Sequence, residues 1–107
     1  MRVARVDEEW RQYASDLGLR LQIARAQTGL SQERVAHAAG ISPYTYQKLE
    51  QGISNPGSSA NPRLRTLAAL AEVLGVSVRD LLPAESPAVA EGRPPPTTSR
   101  GKEPRKR

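Results

Sequence analysis

Apolar residues near the start of the chain recur at helical steps. Trp10, Tyr13, Leu17, Leu21 and Ala24 are three or four residues apart, so they share one face of a long first helix. Asp7 is placed to cap its start and Gly29 to end it. Gly18 lies inside this helix and costs it about 1 kcal/mol relative to alanine, a candidate weak point or kink. Punctuation then becomes dense, in the stretch SQERVAHAAGISPYTYQKLEQG at residues 31–52. Ser31 caps a second predicted helix, 32–39, in which Val35, Ala36 and the small Ala39 let another backbone approach, and Gly40 terminates it. Ser42 caps a third, predicted to run to Gln51 before Gly52. Pro43 suits its first position, where the missing N–H would be unpaired anyway.

So short a third helix has few residues to bury. Ile41, Tyr46 and Leu49 are expected to face the other helices, which by the 3.6-residue period turns Tyr44, Thr45, Gln47 and Lys48 outward. That outward set is rich in hydrogen-bonding groups able to reach phosphates and base edges, as a helix in a major groove requires. The bland alternative is an ordinary solvated helix face.

Composition divides the chain near Pro83. Residues 1–83, the predicted folded domain, hold 10 basic and 8 acidic side chains, whereas residues 84–107 hold 6 and 3, so much of the net charge of +5 sits in the tail. The tail has five prolines, no aromatic residue and Val89 as its one bulky aliphatic, too little apolar surface to offset its ordering entropy. It is expected to be a disordered, Pro-rich basic segment. Its closing RGKEPRKR serves either as a solubilising tail, the favoured reading, or as a phosphate-binding arm.

The remaining chemistry is quickly bounded. The chain has no cysteine and one histidine, so disulfides, thiolate catalysis and a histidine-rich metal site are excluded. His37 has no serine or carboxylate partner in a recognisable pattern and is assigned no role. No enzyme activity, cofactor or metal is expected. No apolar run approaches the roughly 20 residues that span a bilayer, and charged residues crowd the first ten positions without a visible signal peptide, so a cytoplasmic protein with no membrane partner is expected. Arginine outnumbers lysine 13 to 3, an association with GC-rich bacterial genomes.

The run GLSQERVAHAAGISPYTYQKLEQG, followed by NPRLRTLAALAEVLGVSVRDLL, resembles the lambda-repressor-like, or Cro/repressor-type (XRE-like), helix-turn-helix domains of bacterial and phage regulators. The resemblance covers roughly residues 17–82 and rests on several signals in order: GLSQ opening helix two, Ala36 and Gly40 at the turn, LEQG closing helix three, and LGVSVRDLL closing the domain. It implies an all-α, five-helix bundle. Pro62 behind Asn61 is then expected to begin a fourth helix with Leu64, Leu67, Leu70, Ala71 and Leu74 as its stripe, ended by Gly75. Ser77 caps a short fifth. Val76 and Leu81 belong to the core, and Val78 and Leu82 are candidate dimer contacts.

Carried over position by position, the resemblance makes Gln32 a phosphate contact that also braces the recognition helix. It puts Pro43, Tyr44 and Lys48 at base-touching positions, with Ser42, Thr45 and Gln47 on the same DNA-binding surface. Pro43 departs from the pattern, since it offers only apolar contact; base reading shifts to Tyr44, Gln47 and Lys48. Tyr46 replaces the usual aliphatic and is expected in the core with its hydroxyl at the edge. Arg25 and Glu50 match a partly buried salt bridge that sets the angle of helix three. The connection GISNPGSSANPR is about six residues longer than usual and reads as an exposed loop at 53–60, which leaves the reach of the phosphate-contact candidates Arg63 and Arg65 open. The resemblance implies a sequence-specific transcriptional regulator that binds double-stranded operator DNA as a homodimer, most simply a repressor. Its rivals are an antitoxin-type autoregulator and a protein-interaction module without a specific DNA target.

Overall fold

A computed structural model of the chain describes residues 2–55 and 57–93. In order, the elements are α1 (Arg2–Thr28), α2 (Gln32–Ala39), α3 (Pro43–Glu50), β1 (Ile53–Asn55), β2 (Ser58–Ser59), α4 (Leu64–Leu74) and α5 (Val78–Leu81). Helix α1 is 27 residues long and begins well before the expected cap. Asp7 is an exposed interior residue instead, because the preceding RVARV contains no helix breaker and continuing the helix through it buries Val6.

Local capping explains α2 and α3. Ser31 accepts a hydrogen bond from the Arg34 amide at 3.1 Å, and Ser42 accepts one from Thr45 at 3.0 Å. Each therefore satisfies an amide of the first helical turn that has no partner within the helix. Between the helices, Gly40 takes the left-handed conformation (φ 83°), and the Ile41 amide reaches back to the Ala36 carbonyl at 3.0 Å. This closure needs glycine, since a side chain is strained at that φ. The same chemistry recurs at α5, where Ser77 and Asp80 cap each other reciprocally.

The segment after α3 departs from an all-helical expectation. Within the supposed loop, β1 and β2 pair antiparallel, Ile53 opposite Ser59 and Asn55 opposite Ser58, with an irregularity between these pairs. Helix α4 starts at Leu64, two residues later than expected. Asn61 does not cap it; Arg63 occupies the cap position without a side-chain hydrogen bond. Leu64 is 72% exposed and is not part of the core stripe, because it sits on the first turn beyond the helices that cover Leu67, Leu70, Ala71 and Leu74.

The core joins Leu17 and Leu21 of α1, Val35 of α2, Tyr46 and Leu49 of α3, the α4 stripe and Leu81. Val76, Val78 and Leu82 pack against it half-buried. Residues 83–93 carry no helix or strand, although the Ala88 amide donates to the Glu9 carboxylate at 3.0 Å. The expected disorder of residues 94–107, including the basic RGKEPRKR, lies outside the described residues. Among the described residues no helix is long and apolar enough to cross a membrane.

Candidate nucleic-acid interface

A partly buried polar network, centred on the buried Glu50, ties α3 to α1 and α2. Arg25 donates to Glu50 through Nε (2.7 Å to Oε2) and Nη2 (3.2 Å to Oε1), and its Nη1 donates to the Leu30 carbonyl at 3.2 Å. Gln32 donates to the same carboxylate, Nε2 to Oε1 at 2.8 Å. One carboxylate thus ties the first turn of α2 and the last turn of α1 to the end of α3. Glu50 is only 4% exposed. Burial pushes its carboxyl up, but the hydrogen bonds from Arg25 and Gln32 and the nearby Tyr46 phenol outweigh that, and its pKa is held below the ordinary carboxylate value.

Tyr46 sits in the core with its hydroxyl fully buried, not at the edge. The hydroxyl lies near Glu50 and Arg25 without reaching hydrogen-bond geometry with either, and burial pushes the phenol pKa up. The ring is large enough that filling the space of an aliphatic side chain carries its oxygen inward among the packed helices.

Two further residues complete the brace: Gln22, which the sequence pattern passes over, and Gly18, expected only as a weak point or kink of α1. Gln22 donates from Nε2 to the Glu50 backbone carbonyl at 2.8 Å. A β-carbon built on Gly18 would stand 2.5 Å from that carbonyl oxygen and 2.7 Å from that of Leu49. Ala14, Gly18 and Gln22 therefore form a row at steps of four, along which α1 and the end of α3 approach backbone to backbone. The spacing of two small residues four apart was the available signal.

On the opposite side α3 presents its polar row. Tyr44 is 65% exposed, Thr45 and Gln47 are exposed, and Lys48 is half-buried with its ammonium 4.4 Å from the centre of the Tyr44 ring. That cation–π contact holds the two long side chains as a pair. Pro43 is exposed at the head of the helix, and Ser42 donates to Thr45 Oγ1 at 2.9 Å, so part of the hydroxyl capacity there is spent on the cap. Arg63 and Arg65 are both exposed, at the start of α4. Lys48 and Arg63 line one groove together, whereas Arg65 is not among its walls. Between Ala38 and Ala71 the sequence has one acidic residue, the buried Glu50, while the other acids of the folded region lie elsewhere. Helix α3 and the segment that follows it into the first turns of α4 therefore carry no exposed carboxylate and three cations, Lys48, Arg63 and Arg65, while Glu33 is exposed on the neighbouring α2; the balance along α3 suits a polyanion.

The helix-turn-helix domain family matches residues 16–84 of the chain. The chain is also similar to the SPbeta prophage-derived uncharacterized HTH-type transcriptional regulator YonR of Bacillus subtilis (strain 168), 42% identical over 65 residues that cover 61% of this chain and 55% of that protein. It thus spans about half the length of this curated relative. No solved structure matches.

Proposed function

The chain belongs to the XRE-like helix-turn-helix DNA-binding family, and from that premise we propose that it is a sequence-specific transcriptional regulator which lays α3 in the major groove of an operator. The observation that carries this reading is the row of exposed Tyr44, Thr45 and Gln47 with the half-buried Lys48, on a helix without an exposed acid and braced through Glu50. Tyr44, Gln47 and Lys48 read base edges, Pro43 offers apolar contact, and Ser42, Thr45, Arg63 and Arg65 meet the backbone. Gln32 already gives one amide hydrogen to Glu50, so its part is to brace α3 while its remaining N–H faces phosphate.

The protein acts as a repressor by occupying a promoter as a homodimer. Val78 and Leu82 are half-buried on their own core, and the exposed Leu19 and Ile23 of α1 border the neighbouring groove with Pro83. The exposed Leu19 and Ile23, on a groove that Asp16, Arg20, Asp80 and Glu85 also line, support self-association through mixed apolar and charged contacts, with half-sites about 34 Å apart on the DNA. Selection from a random DNA pool at moderate salt tests the proposal. A regulator of this kind enriches a short two-fold or tandem motif; recovery of random sequence would favour the protein-interaction module, and capture of a toxin partner alongside a motif would favour the autoregulating antitoxin.

A further inference from the structure

The chain does not leave the fold where α5 ends. Arg20 of α1 donates from Nη1 to the Asp80 carbonyl of α5 at 3.3 Å. Pro83, Ala84 and Glu85 then border the groove that holds Leu19 and Ile23. Further on, the Ala88 amide donates to the Glu9 carboxylate at 3.0 Å. Glu9 stands about three helical turns before Arg20 on α1, roughly 16 Å along its axis. Residues 83–88 therefore run back along α1, antiparallel to it, with Pro87 and the following Val89 half-buried. Both partners of this tie, Glu9 and Ala88, lie outside the 16–84 family match.

The neighbour of Glu9 shows where the strap arrives. Trp10 donates its indole N–H to the Ala60 carbonyl at 2.8 Å, and the Ala60 amide donates to the Gly52 carbonyl at 2.8 Å, at the base of the β1–β2 hairpin. Ser54 and Asn55 of that hairpin share a groove of about 560 Å³ with Tyr44 and Lys48 of α3. The strap thus brings the chain to the half of α1 that adjoins the hairpin and, through it, α3. Two of the acids on this half of α1 are already engaged, Glu8 by Arg11 and Glu9 by Ala88. The sequence after residue 93 carries Arg100, Lys102, Arg105, Lys106 and Arg107 against Glu103. Extended at about 3.3 Å per residue, residues 94–107 reach about 46 Å, further than one turn of DNA at about 34 Å.

We propose that residues 83–93 are a strap that sends the basic segment 94–107 onto DNA phosphates flanking the site that α3 reads, with Glu9 as the positioning residue, a role that rests on the reading of α3 as DNA-facing. Leaving straight from α5, the segment would start beside Leu19 and Ile23 instead. Tethering the start of a charged segment near its ligand raises its effective concentration there. The contribution is electrostatic and independent of base sequence, so α3 still sets the motif.

The test measures the affinity of the full chain and its variants for the selected motif in two duplexes, one trimmed to the motif and one extended on each side by about one helical turn, roughly 34 Å. On the long duplex, truncation after Arg93 is expected to make the slope of log K against log salt shallower by about two to three units, as for that many lost phosphate contacts. On the trimmed duplex the two slopes should coincide. Glu9→Ala should lower affinity for the long duplex several-fold in the full chain and leave the truncated chain unchanged. Glu9→Gln, whose side-chain carbonyl still accepts from Ala88, should behave as wild type. Equal losses on both duplexes after truncation overturn the contact with flanking DNA. A Glu9→Ala loss that persists in the truncated chain, or no loss in either chain, overturns the positioning role. If the wild-type chain selects no motif, the proposed function fails and the strap's role with it; a motif bound without any dependence on residues 94–107 removes the strap's role alone.

Discussion

Gly18 of α1 and Glu50 of α3 meet at a distance that leaves no room for a side chain: a β-carbon on Gly18 would stand 2.5 Å from the Glu50 carbonyl oxygen. Two effects of Gly18→Ala then oppose each other. Alanine favours the helix by about 1 kcal/mol. The clash is with backbone, which cannot rotate away, and overpacking of this kind costs about 1 to 3 kcal/mol while it also pushes on the Gln22 hydrogen bond to the same carbonyl. The net expectation is a loss of stability together with weaker DNA binding. A raised denaturation midpoint with unchanged affinity would show that the helices separate at no cost.

The same carboxylate sets a pH dependence. Because the pKa of Glu50 is lowered in the folded chain, the Arg25–Glu50–Gln32 network contributes stability that is fully present above the unfolded carboxylate pKa and is lost as pH falls through the folded value. Stability should therefore be level near neutrality and decline in acid. Glu50→Gln removes this group's share of the acid dependence. It also leaves Arg25, a quarter exposed, without its counter-charge, at a cost of about 2 to 3 kcal/mol, below that of breaking a fully buried pair. Melting curves of both proteins across the acid range check this, and parallel curves would remove Glu50 as the titrating group.

Tyr46→Phe isolates a single buried atom. The hydroxyl has no partner in hydrogen-bond geometry, so its removal relieves a desolvation cost and keeps the ring in the core. Stability should be unchanged or slightly raised. A loss of about 1 kcal/mol or more would mean that the hydroxyl bonds Glu50 in solution.

The legibility of the fold follows these physical lines. Serine caps and glycine stops act within three or four residues, so Ser31, Gly40, Ser42 and Ser77 mark helix ends in the sequence as they do in the structure. The start of α1 has no such local mark, because nothing in RVARV interrupts a helix. The strands were hidden for a different reason. Three residues and two residues are too short to show an alternating pattern, and the hairpin is held by a hydrogen bond from Trp10, 50 positions away. At the candidate site, the polar row of α3 follows from the helical period and a short apolar inventory. The part played by Gln22 does not, since a side chain that bonds a backbone carbonyl leaves no matching residue type to search for.

Truncation after Arg93 separates charge from sequence reading. It removes Arg100, Lys102, Arg105, Lys106 and Arg107 against Glu103, and it keeps the Ala88 contact to Glu9. Nonspecific affinity at low salt should fall, and the slope of log K against log salt should become shallower as fewer counterions are released. The selected motif should survive. A folded truncation that loses its motif would make these residues a specificity element.

Tyr44 and Lys48 should act on DNA as one unit. Each single alanine variant is expected to cost about 1 to 3 kcal/mol at the preferred site and to relax the motif at defined positions, as base-reading side chains do. The Lys48 ammonium lies 4.4 Å from the Tyr44 ring centre, so removing either partner also releases the other from its held position. The double variant should then lose less than the two singles combined, a coupling that a double-mutant cycle reads directly. Helix α3 itself should be intact, since alanine is the better helix former and neither side chain is buried in the core. Gln32→Ala provides the contrast, because its carboxamide braces Glu50: it should lower affinity for all sequences without relaxing any one position. Additive losses would show that Tyr44 and Lys48 touch DNA independently, and wild-type motif and affinity in both single variants would take base reading away from this face of α3.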